Sequence, residues 1–377
     1  MKRQTYYILC SLTIPLLVAD CRQAYVPPVV KANKNFLVVE GYINIGQDTT
    51  RIKLSRTANI TDTLPGIPAN GAIVKVEGES GDSYNLNEDS NGIYSVPGIT
   101  GSSAQKYRIT INTADGRKYA SDFVESKQTP PIDSISWEAL PDGVHIYANA
   151  HDDANATKYY KWDYVETWEY HAAYDSYWDY INGSVVARPG DKHIYKCWRT
   201  ITSSNISLAS TTKLSADVVY KQQVMFIPIS TQRIGIKYSI LLKQHALTQA
   251  GFNYWQQLSK NTEQLGSLFD AQPSQLPGNI HNIADDGETV VGFITASTQQ
   301  QKRIFISKDD VGYWHYPPDH NGCDTVHLST HEKELLYLSQ GYIIVDSYTF
   351  GKSYATTVYC ADCRMQGGVL TKPSFWP

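Results

Sequence analysis

The sequence predicts a mainly β protein built from two β-sandwich domains with one inserted helix. Short apolar stretches of two-residue period recur from Phe36 to Ser307, parted by Gly, Asn and Asp clusters. A three-and-four apolar stripe, the signature of a helix, stands out once, near residues 248–265. The adjacent Pro130 and Pro131 cannot donate to a sheet ladder, so residues 127–133 read as a linker between the sandwiches.

Residues 1–20 precede any strand and read as an export signal. Lys2 and Arg3 give a positive start, and Tyr6–Ala19 is an apolar core broken by Pro15. That core of 14 residues is short of the roughly 20 that a spanning helix needs. Val18-Ala19-Asp20-Cys21 resembles the bacterial lipobox, in which small residues precede a cysteine that is acylated and becomes the new N-terminus. Asp20 stands where Gly, Ala or Ser is usual. The alternative is ordinary signal cleavage, which leaves Cys21 a free or paired thiol. Residues 21–34, with Pro27 and Pro28, then form a tether.

The first sandwich is placed at 35–126. Phe36–Ile45 and Thr50–Leu54 flank a Gly46-Gln47-Asp48 turn. Ala72–Val76 and Ile93–Val96 follow, and Tyr107, Ile109 and Ile111 alternate with polar residues before an Ala114-Asp115-Gly116 turn into Lys118–Ala120. The second sandwich is placed at 134–377. In it Tyr160, Trp162, Tyr164, Trp168 and Tyr170 share one face of a long strand with Glu166, while Lys161, Asp163, Thr167 and Glu169 fall on the other, expected to be wet. Thr248 is the expected N-cap of the helix, Gly251, Tyr254, Trp255, Leu258 and Leu265 its stripe, and Gly266 its stop.

Composition excludes some partners. Removing residues 1–20 leaves 31 basic against 36 acidic residues, a net charge of about −5. This offers no basic footprint for nucleic acid and no polybasic patch for anionic lipid, so membrane attachment rests on Cys21.

The order of pieces FLVVEGYINI, TRIKLSRT, PANGAIVKVEGESGDSYNL, NGIYSVPG, KYRITINTADGRKYAS, PPIDSISW, LFDAQPSQLPGNIHNI, ETVVGFITAS, KRIFIS and CADCRMQGGVLTKPSFWP resembles the bacterial domain of unknown function 4249 family. The resemblance implies a lipoprotein of the Bacteroidota outer membrane, often found beside a TonB-dependent transporter, and carries no agreed activity. The first domain is also similar to transthyretin-like and carboxypeptidase-regulatory sandwiches, the second to fibronectin type III or immunoglobulin sandwiches. A surface-facing anchor is expected in preference to a periplasm-facing one, although Arg22-Gln23-Ala24 lacks an acidic export run.

No catalytic or metal-binding residues are assigned. His327 and His331 have the i,i+4 spacing of a zinc helix, but Leu328 stands where a metalloprotease needs its Glu, and Glu332 lies beyond. Asp285-Asp286-Gly287-Glu288 lacks the alternating ligands of a calcium loop and reads as a turn. Asp152 and Asp153 read as a loop after the Val144–Ala148 strand, and the chain carries no GxSxG elbow and no phosphate-cradling loop. The expected protein is therefore not an enzyme and needs no cofactor.

Tyr174, Tyr177, Trp178 and Tyr180, interleaved with Asp175, Asp179 and Asn182, form the candidate ligand surface, with hairpin packing as the competing reading. Cys197, Cys323, Cys360 and Cys363 remain after Cys10 leaves with the signal and Cys21 takes lipid. Two disulfides are expected in an oxidising compartment, with zinc at Cys360-Ala361-Asp362-Cys363 as the rival. Of the three pairings, one that joins Cys197 and Cys323 each to one member of the CxxC pair is favoured, because longer loops remove more unfolded-state freedom. Two functions stay open: a non-catalytic lipoprotein that captures or gates a ligand for a TonB-dependent transporter, or an adhesive or scaffolding envelope protein with no transported ligand.

Overall fold

In the Leu37–Asn44 strand, Leu37, Val39 and Ile43 are buried on one side while Val38, Glu40 and Tyr42 alternate to the other, the two-residue alternation expected of a strand. On that other side Glu40 is exposed and Val38 and Tyr42 are half-buried. This strand belongs to a computed structural model that describes residues 35–58, 66–102, 104–263, 277–312, 322–345, 348–349 and 351–377. Cys21, its signal and its tether lie outside the described residues.

Leu37–Asn44 pairs with Thr50–Arg56, and the ladder continues through Ile93–Val96, Ser83–Ser90, Ile73–Gly78 and Lys106–Asn112. Lys106–Asn112 also pairs with Val124–Lys127, which runs parallel to Ala296–Ser297, which in turn runs parallel to Leu37–Asn44. The path closes on itself. The expected first sandwich is thus corrected to a closed, barrel-like ring of eight strands, and closure removes the exposed edges an open sheet would present. Residues far past 126 complete it: Ile280–Asn282 pairs with Lys118–Ser121, and Val290–Val291 with Leu37–Val38. Gly292 permits the approach, since a Cβ there would stand 2.3 Å from the Val39 carbonyl oxygen, and its φ is +143°. Two-residue strands carry no period, so alternation could not reveal the closure.

The rest of the β structure holds a second core. Ile132–Leu140, Gly143–His151 and Val218–Pro228 make a three-stranded sheet. Lys196–Thr202, Ser207–Ser210, Tyr159–His171, Lys237–Ala246 and Gln299–Ser307 make a five-stranded one. Side chains of both sheets fill one cluster that includes Ile146, Trp162, Ile227 and Leu242. The junction at 127–133 is bonded into it: the Thr129 hydroxyl accepts from Ala246 N, and the Pro130 carbonyl accepts from the Gln244 amide.

On Tyr159–His171 the five aromatics Tyr160, Trp162, Tyr164, Trp168 and Tyr170 are all buried. Glu166 is buried among them and satisfied by the Tyr238 hydroxyl at 3.1 Å and Arg233 at 3.3 Å. The opposite face is not wet as expected. Lys161, Thr167 and Glu169 are buried as well. Trp255 covers Lys161 from the helix, and Trp376 covers Glu169 from the C-terminus.

Helix α1 spans Gln249–Glu263, and the Thr248 hydroxyl accepts from Gly251 N at 3.2 Å, the expected N-cap bond. Phe252, Tyr254 and Gly251 are its buried residues. Leu265 and Gly266 lie outside the described residues. One helix is too few: α2 (His331–Ser339) and α3 (Val358–Ala361) follow. The Thr330 side chain caps α2 by accepting from Lys333 N. A small sheet of Val326–Leu328, Ile343–Val345 and Ser353–Thr356 packs with α2 around Leu328, Leu338, Ile344 and Ala355. The Trp178–Ile181 and Ser184–Ala187 hairpin lays Trp178, Tyr180 and Val185 against that cluster. Cys197–Cys363 and Cys323–Cys360 disulfides staple the small sheet's neighbourhood to the five-stranded sheet and to itself.

Candidate binding cleft

A cleft of about 870 Å³ lies where two sheet edges meet a helix. Ser207–Ser210 pairs on one side with Tyr159–Trp162, and Val218–Pro228 pairs on one side with Gly143–His151. Their other sides face each other, and no ladder joins them among the described residues. Side chains span the gap instead. Asn205 Nδ2 reaches the Val224 carbonyl and Ser207 Oγ the Gln223 carbonyl, each at 3.5 Å. Phe252, Gln256, Ser259 and Lys260 of α1 form the third wall. The Ile206 N–H donates to Glu263 Oε1 at 2.7 Å and ties the rim to the end of the helix.

The lining combines apolar floor with hydrogen-bonding walls. Tyr164, Met225 and Phe226 supply area, while Asn205, Gln222, Gln223 and Gln256 supply carboxamides that both donate and accept. The Tyr164 hydroxyl donates to Asn205 Oδ1 at 2.7 Å, and burial, reinforced by the charge of Glu166, pushes its pKa up to about 12. It stays a neutral donor at any physiological pH. Such a set can orient a ligand by hydrogen bonds, and Lys260 supplies a charge at the cleft.

Behind α1 lies a polar seam. Lys161 Nζ forms a close ion pair with Asp163 and stands 4.6 Å over the Trp255 ring. His245 Nε2 lies 3.4 Å from Asp163 Oδ2, and the Tyr42 ring of the eight-strand ring meets the imidazole edge-on at 4.3 Å. Burial alone would raise the Asp163 pKa, but Lys161 and His245 hold it well below the usual carboxylate range. Burial lowers the His245 pKa, against the pull of Asp163, and keeps the ring neutral. Burial likewise raises the Tyr42 phenol far above its ordinary value.

The aromatic residues singled out in the sequence fall on different surfaces. Tyr174 donates to the Cys323 carbonyl at 3.0 Å beside the second disulfide. Tyr177 is 46 % exposed and edge-on to His193. Trp178 meets Tyr348 at 5.6 Å, and both Trp178 and Tyr180 pack on the small core. The four rings do not make one continuous face, because successive residues of a hairpin point to opposite sides.

The remaining polar motifs take structural places. His327 lies on a strand against Tyr354, and His331 opens α2, so the pair does not share a helical face. Among the described residues no group of three or more His, Cys, Asp or Glu is placed to hold a metal ion. Asp285 accepts from Gly287 N in its turn, and Glu288 takes Arg117 at 3.1 Å and the Tyr119 hydroxyl at 2.9 Å. Asp152 closes its loop by accepting from the backbone of Ala154, Ala156 and Thr157. The cleft itself is absent from the sequence reading. Its residues come from four separated segments, and the local signal is limited to the polar run Ser203–Asn205 and the pair Gln222-Gln223.

A mainly β protein whose open cleft is walled by two sheet edges and a helix is the class these features define. The chain belongs to the family described as Domain of unknown function (DUF4249), whose model matches residues 22–303. No curated protein matches the chain. Among solved structures it is similar to a two-domain fibronectin type-III segment from chicken tenascin, at 10 % identity over 56 % of this chain and 90 % of that one, with a TM-score of 0.15. It is also similar to the Yersinia pseudotuberculosis adhesin InvE, at 12 % identity over 57 % of each chain and a TM-score of 0.15. Likenesses at that score carry no argument about fold or function. Among the described residues no helix is long and apolar enough to cross a membrane.

Proposed function

We propose that this protein is a non-catalytic lipoprotein of the outer membrane, held there through Cys21, that captures or gates a ligand for a TonB-dependent transporter. The observation that carries the reading is the 870 Å³ cleft, whose carboxamide, hydroxyl and aromatic lining is the chemistry of recognition. Its titratable lining residues are Tyr164 and Lys260, the first held as a neutral phenol. In this reading the two facing sheets of the second core act as a fibronectin- or immunoglobulin-like sandwich that presents the cleft. The eight-strand ring, nearer the tether in sequence, acts as the spacer, and the surface-facing leaflet is the site of anchorage.

Purification from detergent-solubilised native membranes tests the proposal. A stoichiometric transporter in the eluate supports it. Recovery of the protein alone, with activity in cell adhesion that needs no transporter, would favour a scaffold instead.

A further inference from the structure

The Trp178–Ala187 hairpin and the segment around Ile343 enclose a second, much smaller pocket of about 40 Å³. It is lined by Trp178, Asp179, Tyr180 and Arg188 on one side and by Leu338, Tyr342 and Ile343 on the other. The volume exceeds the roughly 10–15 Å³ that one water needs, and so leaves room for a hydroxyl or hydroxymethyl group. Arg188 is nine-tenths buried, its side chain 6 % exposed. Its Nη2 is used, paired with Asp179 Oδ1 at 2.7 Å and donating to the Trp178 carbonyl at 2.9 Å. Among the described residues its Nε–H is buried with no partner, and so is the Trp178 Nε1–H. Two orphaned donors on residues that line one small pocket are costly, because each loses its hydration without replacement.

We propose that this pocket takes a hydroxyl of a neutral sugar or polyol. The two N–H groups would donate to its oxygen. The Asp179 carboxylate, which lines the same pocket and spends Oδ1 on Arg188, has lone pairs left to accept the hydroxyl proton. Donors and an acceptor together suit a hydroxyl, which does both; an amide carbonyl leaves the carboxylate unused. An anion is disfavoured because Asp179, Asp362 and Asp175 already face the Arg188 charge, with Arg364 opposing them. Tyr180 and Tyr342 also line the pocket and add apolar area for the carbon skeleton of a sugar. This site is separate from the cleft, so its failure leaves the cleft reading intact.

The experiment follows the Trp178 indole N–H signal of the intact protein in a nitrogen-proton correlation spectrum. The probes are methyl β-glucopyranoside, glycerol, N-acetylalanine methylamide and sodium acetate. A saturable shift with the glucoside or glycerol, and none with the amide or acetate, is the expected result. Arg188→Lys keeps a charge for Asp179 but loses the Nε–H, and should weaken that binding about tenfold, as loss of a hydrogen bond from a charged donor does. A saturable shift with acetate or the amide but not with the polyols would overturn the proposal, as would no shift with any probe or unchanged affinity in the folded Arg188→Lys protein.

Discussion

Trp376 donates its indole N–H to Glu169 Oε2 at 3.2 Å, joining the C-terminal segment to the last residues of the Tyr159–His171 strand, the longest among the described residues. The ring also meets Phe305 edge-on at 5.6 Å. Lys196 holds the other Glu169 oxygen at 2.7 Å, so a buried carboxylate is satisfied from two sides. Trp376→Ala should lower stability by about 3–5 kcal/mol, the usual cost of truncating a buried large aromatic. Trp376→Phe, which keeps most of the packing, should cost about 1.5–3 kcal/mol through the lost bond to a charged group. Urea unfolding followed by fluorescence distinguishes the two values.

The disulfides close loops of very different span. Cys197 and Cys363 are 166 residues apart, Cys323 and Cys360 only 37. In the chain-entropy model they stabilise by about 5 and about 4 kcal/mol, and measured losses fall at about 2–5 kcal/mol. Cys363→Ser should therefore cost somewhat more than Cys323→Ser in the same unfolding assay. Peptide mapping without reductant should return the two long-range links and no Cys360–Cys363 peptide.

Tyr177 and Trp178 are neighbours with opposite fates. Tyr177→Ala, at a ring nearly half exposed, should change stability by less than about 1 kcal/mol. Trp178→Ala, which opens the small core around Leu338 and Ile344, should cost about 3–5 kcal/mol. Equal losses in thermal melts would show that the hairpin does not pack as described.

The seam behind α1 makes stability fall with acid. The His245 pKa is depressed in the folded state, so its contribution is complete above the unfolded value of about 6.5 and declines as pH drops below it. Asp163 is also depressed and adds a second loss, which begins only near its unfolded value of about 4. His171, lowered by burial, acts in the same sense as His245, whereas His145 and His151, raised by Asp142 and Asp133, act oppositely. The difference between the protein and its His245→Asn variant isolates one group. Between pH 7.5 and pH 5 the melting temperature should fall more steeply for the native sequence than for the variant; parallel curves would remove His245 from the account.

Strands with one buried face were legible from alternation, as in Lys106–Asn112, and the α1 N-cap from Thr248 alone. Ser83–Ser90 was not, because its outward and inward residues are mostly polar, with Leu86 its buried apolar residue. Ring closure depends on Ala296–Ser297 meeting Ile43–Asn44 and Ser126–Lys127, contacts between segments that no local pattern links. The wet face predicted for Lys161 and Glu169 failed for a related reason: polar residues are buried when a distant Trp255 or Trp376 brings partners to them. The cleft lies between edges of two sheets, a relation set by how the sheets pack rather than by any one segment.

The cleft's role is tested most directly by placing a photo-crosslinking amino acid at Gln256, on the cleft wall, and separately at Ile73, an exposed ring residue 58 % accessible, in native cells. The account predicts a crosslinked adduct with a TonB-dependent transporter from position 256 and none from position 73. No adduct at 256, or equal adducts at both positions, would contradict it.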